Sequence, residues 1–277
     1  MHDEAPRRGG PGAPSVRQVS SRDNPLLVRL RKLVGDPGAY RKLGEVWIEG
    51  DHLCSAYLQR GGPSPTHALI TEAGWEDPVL RRLAEAAQGI TVVPAALMAG
   101  ISPLESAAPI AFVVPWAPDS GVQRGQATVV LDRLQDAGNV GAILRSAAAF
   151  GFSQVAAVKG TAALWSPKVL RAGMGAHFGL RLVEAADPAT LADALGIPLL
   201  GTSSHARQAL HEAALPWPCA WVMGHEGQGV STALAERCGL ALRIPQPGGE
   251  ESLNVAAAAA VCLYESARQR LVSAAAP

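Results

Sequence analysis

Apolar residues recur along this chain in short runs that stop at glycine, proline or a small polar residue, and between the runs lie stretches with apolar positions at helical spacing. The pattern predicts strands and helices in alternation. Residues 1–18, punctuated by Pro6, Gly9, Gly10, Pro11, Gly12 and Pro14, offer too little apolar surface to fold and are expected to form a disordered basic tail. Structure is expected from Val19. Ser20-Ser-Arg-Asp-Asn-Pro25 reads as a turn and cap, leading into a basic amphipathic helix over 26–33 with Leu26, Leu27, Leu30 and Leu33 on one side. Strands over 45–50, 67–71, 90–93 and 110–114, with helices over 51–59 and 78–88, predict a small α/β domain spanning 19–114. The proline- and glycine-rich stretch 115–126 has no period and reads as a linker.

Beyond it, strands over 127–134, 154–158, 180–183, 197–201, 220–224 and 240–244 alternate with helices over 139–150, 166–174, 188–195, 231–238 and 252–271. This predicts a second domain, 127–277, with a mostly parallel sheet covered by helices on both faces.

Composition changes this picture little. The 277 residues, 48% of them apolar, are enough for two cores, and the formal charge of zero announces no partner by a global field. A local basic cluster does stand out: Arg7, Arg8, Arg17, Arg22, Arg29, Arg31 and Lys32 are opposed only by Asp23. Cys54, Cys219, Cys238 and Cys262 form no close pair and no histidine has ligand spacing to another histidine or cysteine, so neither a metal site nor a disulfide framework is indicated. With no signal-peptide centre and no apolar run long enough for a membrane span, the expectation is a cytoplasmic protein without a membrane.

Candidate chemistry gathers in three segments, each joining a strand end to glycines or short polar residues: Asn139-Val-Gly-Ala-Ile-Leu-Arg145, Gly224-His-Glu-Gly-Gln-Gly229 and Ile244-Pro-Gln-Pro-Gly-Gly-Glu-Glu-Ser-Leu-Asn254. Such junctions bring bare main-chain N–H groups against a ligand. Arg145 suits a phosphate, because its planar fork stays charged and binds in a bidentate way, although a solvated helix residue is the plainer reading of that position taken alone. Asn139 and Ser252 both read equally well as helix caps. The glycine turn with Glu226 has neither the dinucleotide-binding fingerprint nor a phosphate loop. A serine hydrolase built on Ser252 lacks the expected glycine-x-serine-x-glycine elbow.

In order and separation the three segments resemble the motifs of the SpoU/TrmH family of RNA ribose 2′-O-methyltransferases, members of the knotted SPOUT class. The resemblance extends more weakly through Ser20-Ser-Arg-Asp-Asn-Pro25 and Trp47-Ile-Glu-Gly50 to a ribosomal-protein-like substrate-binding domain. It implies a trefoil-knotted C-terminal domain, S-adenosylmethionine as methyl donor, a homodimer, and RNA as partner, with ribosomal RNA favoured over transfer RNA. It also implies site residues: Arg145, Asn139, Glu226, Ser252 and Asn254 for catalysis, and Thr202, Gly224, Ile244 and Leu253 for the cofactor, with no metal. Lys168 and Arg171 become candidates for the RNA backbone. The chain departs from the family at Ala137, Gln246 and Ala256, where proline, methionine and serine are common. The rival expectation is a non-catalytic RNA-binding or ribosome-assembly protein on the same fold.

Overall fold

The computed structural model describes residues 14–249 and 252–275. Among these, the chain divides into two compact units, one running to Ala117 and including Trp165–Pro167, the other comprising Pro118–Leu164 and the chain from Lys168 onward.

The first unit contains Ser15–Gln18 (β1), Pro25–Gly35 (α1), Ala39–Leu43 (α2), Glu45–Glu49 (β2), Asp51–Gln59 (α3), His67–Thr71 (β3), Glu72–Glu76 (α4), Pro78–Ala84 (α5), Gly89–Val93 (β4), Ala95–Ala99 (α6) and Ile110–Pro115 (β5). Its sheet has the order β1-β4-β3-β5-β2, with β1, β4 and β3 parallel and β5 antiparallel to both β3 and β2. The expected amphipathic helix forms: Asn24 caps it, Pro25 opens it, and Leu27, Leu30 and Leu33 are buried. Glu49 ends β2 as a clasp, accepting hydrogen bonds from Ser102 Oγ, the Ala108 main chain and Trp47 Nε1.

One expectation fails here. Residues 15–18, read as part of a disordered tail, form edge strand β1 against β4, while residues 1–13 of that tail lie outside the described residues. The segment is mostly exposed and polar, so its main-chain ladder, not apolar burial, holds it, and a hydropathy pattern cannot register a ladder. Helices α2, α4 and α6, five residues each, are too short to carry a helical period in the sequence.

The second unit contains Thr128–Asp132 (β6), Ala137–Ala149 (α7), Gln154–Val158 (β7), Pro167–Gly173 (α8), Arg181–Ala186 (β8), Pro188–Leu195 (α9), Leu199–Thr202 (β9), Ala220–Gly224 (β10), Thr232–Ala235 (α10), Cys238–Leu242 (β11) and Val255–Ala275 (α11). All six strands are parallel, in the order β11-β9-β10-β6-β7-β8. Alternation along β10 explains the layers. Ala220 and Val222 join Val130, Ala156 and the α9 and α10 leucines Leu191, Leu195 and Leu234 on one face. Trp221 points to the other face, where its Nε1 donates to Ser266 Oγ of α11 at 2.9 Å, and α11 packs along α7. A fully buried parallel sheet needs this double cover.

Within the expected linker, Gly125 donates its main-chain N–H to Leu195, Gln123 donates to the Gln154 side chain, and Arg124 donates to the Asp193 carbonyl. Its later half is therefore tied to the second unit, because main-chain groups beside a sheet find partners whatever the side-chain pattern. Cys54, Cys219 and Cys262 are buried free thiols and Cys238 is half-buried; burial pushes Cys219 and Cys262 up to about 12. Among the described residues no helix is long and apolar enough to cross a membrane, and no group of histidine, cysteine or acidic side chains is placed to hold a metal.

Candidate functional site

Because all six strands run the same way, their carboxyl ends share one edge, and that is where an open parallel sheet binds ligands. Two adjoining hollows lie there, of about 350 Å³ and about 520 Å³. They share Thr202 at the end of β9, Gly229 and Val230 after β10, and Ser252 and Leu253 before α11. Gly224, Glu226 and Asn254 line the smaller; Ser203, Ser204, Ile244 and Gln246 line the larger.

Asn139, Glu226 and Asn254 come together as a hydrogen-bonded chain. Asn139 Nδ2 donates to Glu226 Oε1 at 3.2 Å, and Asn254 Nδ2 donates to Asn139 Oδ1 at 3.0 Å. The amide orientations are fixed from both ends. Glu226 as a carboxylate only accepts, so Asn139 must present its NH2 there; Asn254 Oδ1 is committed to the Ala256 and Ala257 N–H groups, so its NH2 faces Asn139. Burial alone would raise the Glu226 carboxyl, but hydrogen bonds from its own main chain, from Asn139 and from the Gln135 and Asp136 main chains outweigh it and hold the group below the usual glutamate value.

The capping pattern differs from the expectation. Asp136, not Asn139, caps α7, its Oδ1 accepting from Asn139 N at 2.7 Å; Asn254, not Ser252, caps α11, so that helix begins at Val255 instead of 252. All four are good capping residues, and the choice falls to the loop geometry. Capping by Asp136 frees the Asn139 side chain for Glu226. Helix α10 is likewise shorter than predicted, and β11 starts at Cys238 with a register shift before Leu240, which leaves Ile244 beyond the strand.

Arg145 is not brought to this chain. It is exposed on α7, lines neither hollow, and has no hydrogen-bond or ion-pair partner among the described residues. Six residues along an ideal helix place it about 120° around and about 9 Å beyond Asn139. Gly224 serves its own loop: a Cβ there would lie 2.4 Å from Gly229 C and Val230 N, so the bare backbone lets the 225–230 turn fold back over β10. His225 locks that turn, its Nδ1 accepting from the Gly227 and Gln228 N–H groups at 3.0 and 3.3 Å.

Residues 126–264 match the SpoU rRNA Methylase family, half of the chain. The chain belongs to the SpoU rRNA methylase family. Among its relatives, a Synechocystis protein named an uncharacterized tRNA/rRNA methyltransferase is 33% identical over 266 residues, covering 92% of this chain and 95% of its own. The 23S rRNA (uridine(2479)-2′-O)-methyltransferase of Streptomyces viridochromogenes is 28% identical over 280 residues, covering 96% of each. Both units share the fold of the SpoU methyltransferase AviRb from that organism, solved in complex with AdoMet, with a TM-score of 0.81 at 26% identity over 90% of this chain and 98% of that one.

One buried carboxylate beside the candidate site has no counterpart among the residues the sequence singled out. Asp132, the last residue of β6, is wholly buried beside Gly224; its Oδ2 accepts from Ser231 N at 2.5 Å and its Oδ1 pairs with Arg133 Nε at 3.0 Å. The available signal was a carboxylate ending an apolar run, a place where a charge persists only if it is paired.

Proposed function

We propose that this protein transfers a methyl group from S-adenosylmethionine to a ribose 2′-hydroxyl of ribosomal RNA, in the cytoplasm. The observation that carries the reading is the Glu226–Asn139–Asn254 chain set against two contiguous hollows at the carboxyl edge. The residues fit the donor. Each hollow falls within the range of about 300–1,000 Å³ usual for small-molecule sites. Val230, Ile244 and Leu253 offer apolar contact and Thr202, Ser203, Ser204 and Ser252 offer hydroxyls. Glu226 is a carboxylate, and among the described residues neither lining contains a lysine or arginine, a field that suits a positive sulfonium. Gln246 Oε1 is buried without a hydrogen-bond partner among the described residues, a group that a ligand in the larger hollow could satisfy.

When bound, S-adenosylmethionine supplies a methyl group already activated by its sulfonium. What remains for the chain is to hold the hydroxyl in line and ease its proton loss. Ser252 and Asn254 position the reacting groups, and Glu226 with Asn139 fixes the pocket wall. Arg145 holds an RNA phosphate with its fork and, with that phosphate, assists proton loss from the hydroxyl. Thr202, Gly224, Ile244 and Leu253 border the cofactor.

Two further expectations belong to the proposal. A homodimer is supported by the exposed apolar positions Val261, Tyr264, Leu271 and Val272 along α11, which a second copy would cover; the proposed role of Arg145 requires that such a dimer set it beside the partner's crevice. The trefoil knot is supported by family membership and by β11 lying outside β9 while α11 returns to β10 and α7. The test of function is a map of ribose methylation across total RNA from cells with and without this protein. A single ribosomal position lost on deletion supports the reading, and an unchanged ribosomal map with a lost transfer-RNA position overturns the choice of substrate.

A further inference from the structure

We infer that Arg133, seated on the buried Asp132 carboxylate, is a positioning residue that holds the 225–231 loop against the cofactor hollows; this rests on the proposed use of those hollows for S-adenosylmethionine. Three observations converge on it. Arg133 has a left-handed backbone with φ of 62°, a conformation that strains a residue with a long side chain and persists only when its surroundings fix it. Its guanidinium is engaged at two ends, Nε on Asp132 Oδ1 at 3.0 Å and Nη1 on Gln228 Oε1 at 2.9 Å, 95 residues away in the chain. The carboxylate beneath it takes Ser231 N at 2.5 Å, so the end of β6 grips the loop at its tip through Gln228 and at its exit through Ser231.

Elsewhere the loop is tied only near its start, where Glu226 accepts from Asn139 Nδ2 and from the Gln135 and Asp136 main chains; its tip and exit depend on Arg133 and Asp132. Main-chain bonds between His225 and Gly229 and the His225 Nδ1 acceptor close it internally, but neither joins it to the sheet. Gly227, Gln228 and Gly229 are exposed. Yet Glu226, Gly229 and Val230 wall the smaller hollow, and Gly229 and Val230 the larger, so the position of this loop sets the shape of both. Only the Asp132 end of this ion pair is buried, the Arg133 side chain being 32% exposed, so its contribution to stability is modest and its use here is to fix one arrangement.

The test is a double-mutant cycle read as cofactor affinity. S-adenosylmethionine is titrated calorimetrically into the wild-type protein, Arg133→Gly, which relieves the left-handed strain while removing the side chain, Gln228→Ala, an exposed change that leaves the fold alone, and the double variant. We expect Gln228→Ala to raise Kd about five-fold, Arg133→Gly to raise it at least as much because it also leaves Asp132 without its partner, and the double variant to bind no more weakly than Arg133→Gly, because the Gln228 contact acts only through Arg133. Melting of the cofactor-free Gln228→Ala protein should stay within about 2 °C of wild type. Single variants that bind as tightly as wild type, or penalties that multiply in the double variant, overturn the role of Arg133 while leaving the proposed function standing. A wild-type protein that takes up no S-adenosylmethionine overturns the proposed function, and this inference with it.

Discussion

Asn254 gives its two amide ends to two different tasks: Nδ2 donates to Asn139 Oδ1 at 3.0 Å, and Oδ1 caps α11 by accepting from Ala256 and Ala257 at 2.9 and 3.2 Å. Structure and site are therefore joined in one side chain, and a substitution can separate them. Asn254→Asp keeps the capping oxygens and adds a charge favourable at a helix N-terminus, but it replaces the NH2 facing Asn139 with an acceptor. Asn139 then meets acceptors on both sides and can satisfy only one. The expected outcome is a stability within about 1 kcal/mol of wild type by denaturant titration, with methyl transfer reduced about ten-fold or more.

Glu226 is held below its usual value of 4.5. A depressed carboxyl contributes stability that is fully present above the unfolded glutamate value and is lost as pH falls through the folded one. The difference in melting temperature between the wild type and Glu226→Gln should thus be constant across neutral pH and shrink only on acidification below that ordinary value of 4.5. Methyl transfer should show no step from Glu226 between about pH 5 and 8.

Arg145 borders neither hollow, so Arg145→Ala should leave the affinity for S-adenosylmethionine unchanged in calorimetry. Methyl transfer to RNA should fall by about 10²-fold or more, with Arg145→Lys recovering only part, since an ammonium cannot reproduce the bidentate fork. An Arg145→Ala protein with wild-type transfer removes this side chain from the chemistry.

Gly224→Ala places a Cβ 2.4 Å from main-chain atoms of Gly229 and Val230, which cannot yield as a side-chain tip would. The turn must move. A loss of about 1–3 kcal/mol in stability is expected, and weaker cofactor binding with it, measured by melting with and without S-adenosylmethionine.

Much of this was legible in the chain because strand runs and glycine turns are local. The runs over 128–132, 154–158 and 220–224 carry the buried sheet on their own apolar character, and the resemblance across Asn139, Glu226 and Asn254 singled out the three side chains that meet. What was not legible depends on contacts between distant segments. Asp136, Asn139, Ser252 and Asn254 are interchangeable caps by residue type, and only the packed loops decide that Asp136 and Asn254 do the capping. Strand β1 is held by main-chain pairing to residues 89–92 and leaves no hydropathy trace. The grip of Arg133 on Gln228 spans 95 residues, and nothing near Arg133 in the sequence foretells it.

The exposed stripe on α11 gives a prediction about assembly. Replacing Val261 and Leu271, 42% and 67% exposed, together with aspartate should convert a dimer to a monomer in sedimentation without lowering the melting temperature of the isolated chain. A wild-type protein that sediments as a monomer at about micromolar concentration would remove the second copy from the proposal.

The proposed function requires that the crevice shared by the loops after β9 and β10 and before α11 bind S-adenosylmethionine. Its most direct test is calorimetric titration of the cofactor into the wild type and into Ala235→Phe, a bulky change at an exposed position that lines the larger hollow. One site per chain with a Kd of about micromolar order is expected in the wild type, and none measurable in the blocked variant. No binding to the wild type, or equal binding to both proteins, would contradict it.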